Sequence, residues 1–458
     1  MSAAPSSEKG IRRLWLGYVG LVDSPLVSLG RRWLLPALLS IAMFGQLSFS
    51  LLQFRYGVQH PAWPVWGGIA FLTAIFVWKA LSRFAWPDAL FIAFFALLIV
   101  GYFRGQAPAF EFVYRLAGFI LLPYVAARTL DYGDIGRFII CGLIVCALVA
   151  GIAVVEIAML PPAMLAQDRI LLFFNREIAG SGGVPSQIYI ASAMGGLIAL
   201  STAVVLGKRT ELSRWLAFGS IGLFVGAMVL VLAGTRAVMV ISVAVVLFGA
   251  IFVNRPGWQI RALPLALIVV GGVFGGTISS SSRLIFLSQL MHPDFNIVEG
   301  LPEEEELPFE VQQGCLPRGA TSISIRILLL SSAWKQFAVQ PVLGTGLGEY
   351  TPVGCEGAYA AFDSPHNMLA HAFVEGGLPM GLILLALLVS PVRLLKQDVR
   401  QFIPLGALLV YGLFVLWEMM SGSIFGDGQI YAALGIALSA CQKPDDQTEL
   451  LSPGPSSA

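Results

Sequence analysis

The chain has 458 residues, 57% apolar and 12% charged, against roughly 45–50% and about 25% in an ordinary soluble domain. That composition argues against a soluble globule. Lys plus Arg (28) almost equals Asp plus Glu (27), so there is no basic excess to hold a nucleic-acid backbone.

In chain order, apolar blocks with hardly a charge inside predict helices near 33–53, 62–80, 87–103, 112–127, 137–158, 184–206, 214–232, 236–253, 261–278, 367–390, 402–420 and 428–441. Most have the length that crosses a hydrocarbon core of ~30 Å. The expected fold is all-α, a polytopic membrane helical bundle of about twelve transmembrane helices with one large external loop. No internal repeat is visible.

Lys and Arg concentrate in alternate loops. One side collects the N-terminal tail with Arg31 and Arg32, then Lys79, Arg83, Arg128, Arg137, Lys208, Arg209, Arg214, Arg255, Arg261, Arg393, Lys396, Arg400 and Lys443. The short loops of the other side hold only Arg55, Arg104, Arg169, Arg176 and Arg236. Positive residues are retained inside, so residues 1–32 are read as a cytoplasmic tail with no cleavable signal, 33–278 as nine spans, 279–366 as a periplasmic loop, 367–441 as three more spans and 442–458 as a second cytoplasmic tail.

An ionisable residue at membrane depth is costly, at least ~2.5–3.5 kcal/mol on insertion scales, and points to function. With this topology Arg115, Glu156, Arg236, Glu375, Glu418 and Asp427 all fall in the external half of the bundle. Interfacial salt bridging accounts for any one of them, but less well for six together.

In the long loop, residues 321–339 predict an amphipathic helix, with Ile323, Ile327, Leu330, Trp334 and Phe337 as its apolar stripe, Arg326 off the stripe and Pro341 as its stop. Its length and two cations suit a helix lying on the bundle or on the membrane surface. The run Pro341-Val-Leu-Gly-Thr-Gly-Leu-Gly348 follows no strand and so is no dinucleotide loop. It reads as a tight turn bringing backbone close to a ligand or a helix, with Gly346 a candidate contact. Ser364-Pro365-His366-Asn367 predicts a helix start with Ser364 as N-cap and Pro365 at the first position. That puts His366 and Asn367 in the first turn, where the helix dipole favours anions and a neutral imidazole usable as a base. A structural histidine in a cap remains the alternative.

His371 and Glu375, four apart, are too little to claim a metal, as are His292 and Asp294. Glu303–Glu306 reads as a solvated run. No hydrolase elbow is present. Cys315 and Cys355 share the external loop, an oxidising compartment under this topology, and are a disulfide candidate.

The order Gly234-Thr-Arg236, Arg326, Trp334, Pro341-x-x-Gly-x-Gly-x-Gly348, His366-Asn367 and Glu375-Gly-Gly resembles the O-antigen ligase and polymerase superfamily of bacterial envelope enzymes. The resemblance implies a glycosyltransferase of the bacterial inner membrane with a periplasmic active site. Its donor would be a glycan on undecaprenyl-pyrophosphate. Its acceptor would be a sugar hydroxyl of lipid A-core for a ligase, or another lipid-linked repeat for a polymerase.

Two arginines and a histidine of family ligases correspond to Arg236, Arg326 and His366. Guanidinium groups suit a pyrophosphate leaving group, and a neutral histidine suits removal of the acceptor proton. Arg115, Asn367, Glu375 and Gly346 are added as substrate-binding candidates. The expected reaction inverts the anomeric carbon and needs no metal or cofactor. Polymerases often show an Arg-x10-Gly pattern, which Arg169…Gly180 matches, but a single large external loop favours the ligase. The rival class is a membrane transporter, whose polar site would lie near the midplane at a repeat interface.

Overall fold

The computed structural model describes residues 30–49, 52, 58–105, 108–159, 186–207, 212–233, 235–253, 258–278, 322–350, 364–396, 401–424 and 428–441. Each apolar block holds a helix: α1 (Leu35–Phe44), α2 (Trp63–Ser82), α3 (Trp86–Arg104), α4 (Ala109–Arg128), α5 (Tyr132–Met159), α6 (Ser186–Leu206), α7 (Leu212–Leu232), α8 (Arg236–Phe252) and α9 (Trp258–Ile278). α10 (Ser322–Val339) lies between the blocks, and α11 (Met368–Val389), α12 (Phe402–Ser421) and α13 (Gln429–Ala440) complete the set. No strand occurs among the described residues.

Eight helices, α2–α5, α7, α9, α11 and α12, are long and apolar enough to cross a membrane; α1, α6, α8 and α13 are apolar but shorter over their described residues. The protein is a polytopic helical membrane protein.

α6 forms the centre, packing against α5, α7, α8 and α12. Residues 190–207 are buried without a break, as a helix apolar on every face should be. Membrane helices gain from close approach rather than from water exclusion, so small residues mark their contacts. At Gly196 a Cβ would come within 2.5 Å of the Phe44 ring, and at Gly195 it would lie 3.0 Å from Leu413 and 3.1 Å from Val238.

A buried charge network ties one end of the bundle. Asp88, in the first turn of α3, accepts from the Ala85 N–H (2.8 Å), from Tyr124 Oη (2.7 Å) and from both arms of the Arg128 fork, Nε to Oδ1 and Nη2 to Oδ2, each at 2.9 Å. Arg128 also donates to Ser439 Oγ (3.2 Å) and the Arg83 carbonyl (2.9 Å), while Arg83 donates to the Leu130 carbonyl (2.8 Å) and pairs with Asp131. The ends of α2, α4 and α13 and the start of α3 thus meet, the same ends that the Lys and Arg distribution assigns to one side. Arg128 itself is only 2% exposed. Its charge is internal because Asp88 waits for it at the start of the neighbouring helix.

Candidate functional site

α11 is two half-helices. Gly376-Gly377-Leu378-Pro379 dictates the break: Gly377 takes a left-handed φ of 70°, and Pro379 suits the first turn of a new helix but not the middle of an old one. A break strands carbonyls on one half and N–H groups on the other, and buried backbone groups need partners. The glycine run supplies them. Thr345 N–H donates to the Val374 carbonyl (2.8 Å), Gly346 N–H to the Glu375 carbonyl (3.0 Å), and the Leu378 N–H to the Pro341 carbonyl (2.8 Å).

That fit requires glycine. At Gly344, with φ 67°, a Cβ would lie 2.5 Å from the Glu375 carbonyl. From the other side, Arg104 at the end of α3 donates to the carbonyls of Leu343 and Gly344, and the Leu347 N–H to the Gly101 carbonyl (3.1 Å). Gly346 is buried, and a Cβ there would lie 2.9 Å from the Arg104 backbone. The turn therefore approaches two helices closely.

Asn367, His371 and Glu375 form a polar row along the first half of α11. Asn367 is the N-cap: Oδ1 accepts the Ala370 N–H (2.9 Å), while Nδ2 donates to the Met419 carbonyl at the end of α12 (2.7 Å). The expected start at Ser364-Pro365 is thus displaced by three residues. The carboxamide of Asn367 caps one helix and ties another at once, which the Ser364 hydroxyl, with one donor, is less suited to do. His366 consequently precedes the helix instead of lying in its first turn, and its φ is 52°. A non-glycine residue in the left-handed region costs energy and is concentrated at functional sites.

His371 Nδ1 accepts the Ile424 N–H (3.2 Å), which leaves the ring proton on Nε2. Nε2 lies 2.9 Å from Glu375 Oε2, although off the line of a good hydrogen bond. Glu375 Oε1 accepts the N–H groups of Gly348 (2.9 Å) and Tyr350 (3.4 Å). Glu375 is 1% exposed. A substrate-binding candidate from the sequence, it holds the loop through Oε1 and faces His371 through Oε2. No third His, Cys, Asp or Glu joins the pair as a metal-ligand cluster among the described residues.

α10 runs beside the first half of α11. Phe337 and Phe373 rings are 5.5 Å apart, Ala333 and Tyr350 pack with Val374, and Tyr350 Oη donates to the Leu329 carbonyl (2.9 Å). Phe337 at Phe373 and Pro341 at Leu378 mean that the two helices run in the same direction. Three turns back from Phe337, Arg326 therefore lies toward the His366 end, on the face shared by Ala333 and Phe337. Burial lowers its guanidinium from the usual range, but arginine stays charged near neutral pH.

The apolar stripe read from sequence is corrected here: Leu329 and Ala333 are the buried positions, while Leu330 and Trp334 point outward.

The remaining candidates lie on other helices. Arg236 opens α8, with its side chain outside the described atoms. Arg115 is engaged by Glu111 one turn back and is partly exposed. Glu156, in the last turn of α5, borders an open groove with Leu148, Gly151, Ile152 and Val155. Glu418 is buried beside Gly422, one residue before the carbonyl that Asn367 reaches. Asp427, Cys315, Cys355, His292, Asp294, Glu303–Glu306 and Arg169…Gly180 lie outside the described residues. Arg104 and Tyr350 escaped the sequence reading, although Arg104 is one of few cations on its side and Tyr350 closes the glycine run.

The segment that builds this corner is also the one that known proteins recognise. Residues 221–386 match the family model described as O-antigen ligase. No curated protein matches the chain. The matched region takes in Arg236, α10, the glycine run, His366 and α11 as far as residue 386, but not Arg115.

Proposed function

We propose that the protein is an O-antigen ligase. It would move a glycan from undecaprenyl-pyrophosphate to a sugar hydroxyl of lipid A-core at the periplasmic face of the bacterial inner membrane. The observation that carries this reading is that one family-matched segment contains Arg326 and His366 and packs them toward the same end of α10 and α11.

In this mechanism Arg236 and Arg326 hold the donor pyrophosphate, their fixed forks matching its oxygens and offsetting charge as it leaves. His366 takes the proton of the acceptor hydroxyl, whose oxygen attacks the anomeric carbon. The bond to the pyrophosphate oxygen breaks, the configuration inverts, and undecaprenyl-pyrophosphate departs. Asn367 positions His366 by fixing where α11 begins. The arginines supply the positive charge, so activity is expected to survive EDTA.

The break in α11 also weighs against a transporter. Transporters use broken helices to leave backbone groups available to a solute or ion. Here Thr345, Gly346 and Pro341 already occupy the groups released on either side of Gly377.

A deletion strain gives the first test: unligated lipid-linked polymer indicates a ligase, whereas material bearing a single repeat indicates a polymerase of the same superfamily. Restoring the strain with His366→Ala should lower transfer by ~10²–10⁴-fold with donor binding retained. Near-normal transfer by a folded His366→Ala protein returns that residue to a structural role. Arg326→Lys keeps charge but loses the fork, and should lose more activity than charge alone accounts for.

A further inference from the structure

α10 has two sides with different occupants. Its inner side, Leu329, Ala333 and Phe337, is covered by α11 and Tyr350. Its outer side exposes Leu330 at 46% and Trp334 at 68%, its last residue, Val339, is exposed at 78%, and the chain that follows exposes Val342 at 67% and Leu343 at 55%. Soluble surfaces seldom gather large apolar side chains in this way, and such a patch marks a contact.

The patch is continuous with the lipid-facing belt of the bundle. Leu378, whose N–H binds the Pro341 carbonyl, begins the exposed row Leu378, Leu382, Leu385 and Val389 on the membrane-spanning second half of α11. Leu343, whose carbonyl binds Arg104, is thereby tied to the end of the α3 span, whose penultimate residue, Phe103, is exposed. Lys335 is exposed next to Trp334 in sequence and so lies a quarter turn or more round the helix. An apolar sector with Trp, flanked by a lysine, is the pattern of a helix lying in a membrane interface, where the ring sits at headgroup level and the ammonium reaches lipid phosphate.

We propose that the outer face of α10 and the turn Val339–Leu343 form a membrane-docking surface, seated in the headgroup boundary of the bilayer. The occupant is lipid, since the patch extends a belt that lipid already covers. On the ligase reading, which this consequence rests on, the docked helix carries Arg326 at the depth where a lipid-linked pyrophosphate leaves the hydrocarbon. The donor would then slide sideways onto the guanidinium without rising into water.

The test uses the full chain in vesicles of phosphatidylethanolamine and phosphatidylglycerol, with an environment-sensitive fluorescent amino acid encoded in place of Trp334, Val342 or Lys335. Brominated acyl chains should quench the probe at 334 and 342 several-fold more than at 335, and iodide should show the reverse order. Equal iodide access at all three positions overturns the proposal. Shielding of 334 and 342 from both quenchers also overturns it, because a protein partner or second copy would then cover the face. Trp334→Glu should raise KM for a lipid-linked donor several-fold with little change in kcat. If quenching places the face in lipid but no glycan is transferred by the unmodified protein, the docking surface stands and the ligase reading falls.

Discussion

His371 and Glu375 face each other one turn apart on α11, with Nε2 2.9 Å from Oε2 and both side chains buried. Each is bound elsewhere as well, His371 to the chain after α12 and Glu375 to the chain after α10. The pair therefore joins three segments that are distant in sequence.

Replacing Glu375 should reveal how much of the corner depends on it. Glu375→Ala removes the acceptor of two N–H groups and leaves His371 unmatched, a loss of about 3–5 kcal/mol. Glu375→Gln keeps the shape and one acceptor and should cost about half as much. Thermal unfolding in detergent should rank wild type above Gln above Ala, and identical midpoints would show that the buried carboxylate contributes nothing.

Two glycines should respond oppositely to the same substitution. Gly344→Ala meets both a left-handed φ and the Glu375 carbonyl, a cost of about 2–4 kcal/mol. Gly412, within α12, has nothing within 4 Å of its missing Cβ, so Gly412→Ala should be neutral or gain up to ~1 kcal/mol in helix propensity. Unfolding midpoints of the two variants, measured together, decide the matter.

At the far end of the bundle, Arg128→Ala strands Asp88 and should destabilise by about 3–5 kcal/mol. The double replacement Arg128→Met with Asp88→Leu should be milder than the single one, since no charge is left unpaired. A double-mutant cycle on stability measures the coupling. Transfer per folded molecule should hold, because this network belongs to the opposite set of helix ends from His366.

Topology can be checked by fusion. Alkaline phosphatase after Glu310 should be active and after Lys396 inactive, as the Lys and Arg distribution predicts. The reverse result would move Arg326 and His366 to the cytoplasmic face and remove the proposed donor from their reach.

The cysteines give a separate readout. Cys441 is half-buried at the end of α13, so it should label more slowly with maleimide in the folded protein than in denaturant. In non-reducing denaturant Cys141, Cys146 and Cys441 should all react. Reduction should add Cys315 and Cys355 if they are bridged, and a bridge closing about 40 residues would contribute roughly 3–4 kcal/mol.

Helix positions were readable because a span announces itself by length and lack of charge, and blocks such as 402–420 differ from α12 by a single residue. What escaped the sequence depended on partners. Ser364-Pro365 has the local chemistry of a helix start, yet Asn367 wins because Met419 offers it a second bond. On α10 the largest apolar residues suggested the buried stripe, but Ala370 and Val374 of α11 pack with Ala333 and Phe337, and Trp334 is left outside. Gly376-Gly377 with Pro379 was a readable sign of a break in α11, hidden by the unbroken apolar character around it.

Because Gly377 divides α11, the helix is incomplete by itself. Grafting residues 368–389 into a related bundle would carry bare carbonyls at Val374 and Glu375 and an unanswered N–H at Leu378 into apolar surroundings. The piece that can be exchanged between such proteins, by recombination or by design, is therefore the stretch from Pro341 through α11, in which the turn serves as the missing part of the helix.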